Sequence, residues 1–157
     1  MAALFDHVGF DLAYYTVPAA FVLLFAPHMY AVQLAGKNHD LTIRGKMVDN
    51  VVQDEGVPKK VRQRIIRAEA ATANGLETIG LYAAAVVAAK VAGVETGAIN
   101  SLAVAYLASR AVYNYLYVIA QDDAGRASYR SVAWCVGIGI VFTLFIKAGN
   151  AGNAPRP

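Results

Sequence analysis

Four stretches of the chain are almost continuously apolar, residues 10–35, 78–94, 99–120 and 132–148, and the polar and charged side chains gather between them. A helix needs roughly 17 to 25 mostly apolar residues to cross hydrocarbon, so the pattern predicts four membrane-spanning helices. The second stretch is short on its own. Its helix is therefore predicted to begin upstream, at Lys59 among the arginines, and to run without a proline to about Ala92. Ala83, Ala84, Ala85, Ala88 and Ala89 on that helix allow close backbone approach to a neighbouring helix or subunit. Gly93 and Gly97 predict the turn into helix 3, over about 98–120. QDDAGR then predicts a tight connection to helix 4, from near Ala127 to Gly149.

Helix 1 contains Pro18 and Pro27, and each predicts a bend, because proline removes a backbone donor and crowds the preceding turn. Residues 36–58 form a polar connection broken by Gly45, Gly56 and Pro58, with a short surface helix predicted over 41–52. The fold class that follows is an all-α membrane protein, a four-transmembrane-helix bundle in one unit over 1–150, with a disordered tail at 151–157. A hydrophobic content of 57% and a mean hydropathy of +0.42 agree with it, being too apolar for a soluble domain of this size. The first apolar stretch lacks a basic flank and a small-residue cleavage site, so it reads as a retained helix and not as a leader.

Charge adds an orientation. Lys37, Arg44, Lys46, Lys59, Lys60, Arg62, Arg64 and Arg67 lie between helices 1 and 2, which predicts a cytosolic basic loop with both termini on the far side. Attraction to anionic membrane lipids accounts for the loop, and no motif for nucleic acid accompanies it. Cys135 is the only cysteine, so no intrachain disulfide forms, and its place in an apolar helix predicts a buried, inert thiol.

Candidate chemistry sits on three helices. Arg67, Asn74 and Glu77 fall along one stripe at the mouth of helix 2. Ionisable groups at membrane depth cost about 2.5 to 3.5 kcal/mol each on insertion scales and usually face a bundle interior. On helix 3, Arg110, Tyr113 and Tyr117 share a face. A buried guanidinium calls for a carboxylate, and Glu77 is the one acid well inside helix 2, which predicts an Arg110–Glu77 pair. The two tyrosines suit either packing or hydroxyl donation to an oxyanion or thiolate. Arg130 and Ser131 begin helix 4, where free amides and the helix dipole favour an anion, with Trp134 one turn further on; Arg130 equally suits contact with lipid phosphate. His28 and His39 lack further ligands at metal spacing, so no metal site is expected, and Asp122 with Asp123 reads as a solvated turn. There is no Ser/His/Asp set, CxxC, phosphate-binding glycine loop or HExxH.

Taken in order, Arg67 with Asn74 and Glu77, Arg110 with Tyr113 and Tyr117, and RSVAW at 130–134 resemble the MAPEG family, the membrane-associated proteins in eicosanoid and glutathione metabolism, from Arg67 to the end of helix 4. RAEAATANGLE and SRAVYNYLY look most like its fungal and bacterial branch, and the set as a whole resembles microsomal glutathione transferases. The resemblance implies a homotrimer that binds glutathione between subunits near the cytosolic face and acts on a lipophilic electrophile or lipid peroxide. It implies an endomembrane such as the endoplasmic reticulum in a eukaryote, or the inner membrane in a bacterium. By position, Asn74 and Glu77 would hold the polar backbone of glutathione, and Tyr113, Tyr117 and Arg130 would clamp its carboxylates and peptide. Arg67, Arg110 and Trp134 complete the implied binding set, and Arg130, Ser131 and Tyr117 are the implied catalytic groups. Ala70 and Ala73 stand where relatives commonly carry arginine. Two further readings therefore stay open: a non-catalytic lipid-binding protein of the same architecture, and an enzyme that works on a hydrophobic metabolite without glutathione.

Overall fold

The computed structural model describes residues 11–43, 45–122 and 127–153. Among the described residues five α-helices follow in chain order: α1 (Thr16–Ala35), α2 (Lys46–Gln53), α3 (Lys59–Val91), α4 (Thr96–Val118) and α5 (Ala127–Gly152). Single 3-10 turns at Ala13–Tyr15, Gly36–Asn38 and Ala120–Asp122 extend the ends of α1 and α4. No strand occurs among the described residues.

Among the described residues, three spans are long and apolar enough to cross a membrane, Ala13–Asn38, Thr96–Asp122 and Ser128–Gly152. The predicted helix 2 does not reach that standard. α3 starts at Lys59 as expected, and its 33 residues make a rod about 50 Å long, well beyond a hydrocarbon core of about 30 Å. Five Lys and Arg residues on its first three turns make that half too polar to count as a span. α3 nevertheless runs through the middle of the assembly, packed on α1, α4 and α5. α5 continues through Gly152, so the disorder expected at 151–157 does not hold for 151 and 152, and residues 154–157 lie outside the described ones.

Two apolar clusters hold the helices together. One joins Tyr82, Val86 and Ala89 of α3 to Ile99, Ala103 and Tyr106 of α4 and to Val141 and Leu144 of α5. Within it the Tyr82 and Tyr106 rings stack at 3.8 Å, and the Tyr82 hydroxyl lies 2.6 Å from that of Thr16 on α1. The other joins Ala31 of α1, Ile65, Ala68 and Ala71 of α3 and Tyr113 of α4. Between the clusters α1 crosses α3 at Gly75, where a Cβ would come within 2.7 Å of the Leu24 Cβ, so this close approach requires the missing side chain. α1 runs unbroken through Pro18 and Pro27. Pro18 stands in the first turn of α1, where proline is tolerated.

The connection from α1 to α3 is more ordered than its composition predicts. α2 begins at Lys46, not at residue 41, because Asp40 accepts from the Thr42 amide and hydroxyl in a preceding turn. Gly45 then enters the left-handed region at φ 91° before the helix starts. α2 is not a freely solvated surface helix: Met47 and Val51 are buried against the α1 and α3 cluster. Asn38 donates to Asp54 at 2.9 Å and Asn50 donates to the Asn38 carbonyl at 3.2 Å, which tie the two ends of the connection together.

Candidate functional site

α3, α4 and α5 enclose a polar cleft of about 240 Å³. Asn74 supplies one wall, Tyr113 and Tyr117 the second, and Arg130, Ser131, Trp134 and Cys135 the third. The helical period explains the grouping: Tyr113 and Tyr117 lie four residues apart on α4, and residues 130, 131, 134 and 135 fill two successive turns of one face of α5.

The Arg130 guanidinium lies 4.3 Å over the Tyr117 ring. Tyr117 meets Tyr113 edge-on, with centroids 5.7 Å apart and planes at 66°. Asn74 donates its Nδ2 to the Ala70 carbonyl at 3.0 Å, which fixes the amide in place and leaves Oδ1 as its remaining acceptor. α5 begins at Ala127, so the first-turn amides, which have no helical acceptor, and the positive end of the helix dipole lie beside Arg130 and Ser131. The cleft thus offers a guanidinium, hydroxyls and a helix N-terminus against aromatic walls, a donor set suited to a carboxylate or thiolate.

Several expected placements are changed. Arg110 is buried at 4% exposure, but it does not pair with Glu77, which is exposed on α3. Arg110 faces α5 and donates to the Ala133 carbonyl at 3.0 Å and the Trp134 carbonyl at 3.4 Å. The Tyr106 and Tyr113 rings stand 5.6 and 5.0 Å from its guanidinium carbon. Helix carbonyls retain a second lone pair beyond the one used by the helix, so backbone and ring faces replace the expected carboxylate.

Arg67 lies outside the cleft. It donates to the Val118 carbonyl at 3.2 Å and to Asp122, lining a separate depression with Gln63, Ile66 and Gln121. Asp122 is accordingly not a solvated turn residue. It accepts from Lys60 at 3.2 Å, from Arg64 at 2.5 Å and from Arg67, and so joins the basic end of α3 to the end of α4. Asp123 lies outside the described residues. Cys135 is exposed, not buried, and it opens into the cleft. Its spacing of four from Ser131 was the signal that could have placed it there.

Cavities also occur away from the cleft. His28 and Glu69, forty-one residues apart, bond at 2.7 Å beside His39 and Thr72 in a cavity of about 490 Å³ between α1 and α3. No group of three or more metal-ligating side chains occurs among the described residues. Beyond α5, an apolar groove of about 660 Å³ runs between α4 and α5 along Val104, Ala108, Val112, Val132 and Val136.

A family model described as the MAPEG family matches residues 12–150. No curated protein and no solved structure matches the chain.

Proposed function

The chain belongs to the MAPEG family, and on that premise we propose that it is a glutathione-dependent membrane enzyme acting on a lipophilic electrophile or lipid peroxide. The integral membrane character fits the three apolar spans. The observation that carries the reading is the electrostatic state of the cleft. Arg130 lines it and Arg110 lies directly behind Tyr113, and neither guanidinium forms an ion pair with a carboxylate among the described residues. Two positive charges without counter-ions in an apolar bundle favour an anionic ligand. Glutathione, with two carboxylates and an ionisable thiol, matches that demand.

When bound, glutathione supplies a thiol whose anion is the nucleophile or reductant. The chain's own residues bind and orient it. Arg130 and the N-terminus of α5 offer positive potential to a carboxylate or thiolate, and Ser131 and Tyr117 offer hydroxyl donors. Asn74 and Tyr113 supply polar contacts on the opposite walls, whereas Glu77 is exposed on α3 and is not among the residues that line the cleft. Arg67, tied to Asp122, contributes to the positive field from outside the cleft. In the same reading the protein is a homotrimer with the basic connection between α1 and α3 on the cytosolic side, and neighbouring subunits close the cleft.

The test is conjugation of a generic electrophile by the purified, detergent-solubilised protein, measured with and without glutathione. Turnover that depends on the thiol supports the reading, and a rate indifferent to it removes it. The apolar groove between α4 and α5 favours a second reading, a lipid-binding protein without thiol chemistry. Calorimetric titration of glutathione separates the two, since saturable binding argues against the second.

A further inference from the structure

We infer that Arg110 is a positioning residue for the polar cleft, seated in a notch at Gly137, and that it fixes the Tyr113 wall against the Trp134 turn of α5. The inference rests on the cleft being the thiol site, and it adds residues that do not themselves line it.

The notch is specific. A Cβ built on Gly137 would stand 2.1 Å from Arg110 Nη2, 2.7 Å from Cζ and 2.9 Å from Nε. All three atoms belong to the planar guanidinium of Arg110, so that group occupies the space a side chain at 137 would need. Any side chain at 137 would displace the whole group. Its bonds to the Ala133 and Trp134 carbonyls lie within one turn of Gly137, so both would be lost with it.

Displacement would reach the cleft by two routes. Trp134, whose carbonyl accepts from Arg110, is a cleft residue. Tyr113, whose ring Arg110 faces at 5.0 Å, is another. From Tyr113 the contacts continue to the Tyr117 edge and from Tyr117 to Arg130, giving an unbroken series of cation, ring, ring and cation from the buried interior to the anion-binding end. Burying a guanidinium is costly, and here Nε remains buried without a hydrogen-bond partner. A positive charge accepted at that cost, with two of its four compensating contacts, the Trp134 carbonyl and the Tyr113 ring, made to residues that line the cleft, has a role in the cleft beyond joining two helices.

The single tryptophan makes the test direct, because emission excited selectively at tryptophan, to the red of tyrosine absorption, comes from Trp134 alone. Full-length G137A, R110K and R110M are compared with the parent in detergent for Trp134 emission and iodide quenching, and for kcat and KM with glutathione varied. G137A and R110M are expected to shift the emission and raise KM for glutathione about tenfold with a smaller change in kcat, and R110K, which keeps the charge, is expected to recover part of the loss. G137A with parental emission and parental KM would overturn the inference. Should the variants not fold, the Arg110 guanidinium 15N signal of the unaltered protein decides: protection from solvent exchange is expected, and rapid exchange would overturn the inference. If the parent binds no glutathione, the functional reading fails by itself, and the emission of G137A still tests the positioning role.

Discussion

Arg130 rests on the face of Tyr117, with its guanidinium carbon 4.3 Å from the ring centre, across the seam between α4 and α5. The contact leaves the guanidinium N–H groups free to point along the cleft, because a cation over a ring face uses the quadrupole of the ring and none of its own donors. Arg130 is thereby held in place without an acidic partner among the described residues that would cancel its charge.

Arg130→Gln should weaken glutathione binding by about 10- to 100-fold, the equivalent of one charge-assisted hydrogen bond. Tyr117→Phe keeps the ring face and should cost much less. Isothermal titration in detergent measures both, and equal losses in the two variants would mean that the hydroxyl of Tyr117, and not its ring, carries the contact.

Gly75 and Gly80 should respond in opposite directions to alanine. A Cβ at Gly75 meets Leu24 at 2.7 Å, whereas one at Gly80 finds nothing within 4 Å. Gly75→Ala should destabilise by ~1–3 kcal/mol through overpacking of α1 on α3. Gly80→Ala, in an open helix interior, should stabilise by ~0.5–1 kcal/mol. Thermal unfolding of the two variants checks the contrast, and a loss at Gly80 equal to that at Gly75 would refute the assigned crossing point.

Asp122→Asn should leave Lys60, Arg64 and Arg67 facing one another without their shared carboxylate. Attraction among exposed charges is screened by salt, so the parent should lose thermal stability as salt is added. The variant, with only repulsion left, should start lower and gain from salt. Melting temperatures at low and high ionic strength report the sign.

Asp54 gives the connection between α1 and α3 a dependence on pH. The hydrogen bond from Asn38 holds its carboxyl below the usual carboxylate range, with further help from the Gly56 amide and from Lys37. A depressed folded-state value means stability that is present above the unfolded value of about 3.9 and lost as pH falls through the folded one. Limited proteolysis of this connection by an acid-active protease should therefore accelerate on acidification below about pH 4. Asp54→Asn should be cleaved at a rate that changes less over the same interval.

The helices were legible because hydrophobic periodicity is a local property of the chain. The start of α3 at Lys59 and the shared face of Tyr113 and Tyr117 could be read directly from spacing. The partner of Arg110 could not, since the expectation looked for a carboxylate and the structure used carbonyls, which every residue possesses and no sequence pattern marks. Asp122 was misread for a related reason. In a turn it looked solvated, until the docking of α4 on α3 placed three cations within its reach.

Local pattern by itself determined the helical character, the apolar spans, the basic connection and which side chains share a helix face, because these follow from 3.6 residues per turn and the cost of polar groups in lipid. Which face meets which was decided only by packing. The close crossing at Gly75, the notch at Gly137 and the pairing of His28 with Glu69 join residues from separate helices. Steric fit between complete helices, and not the composition of any one of them, brings such pairs together.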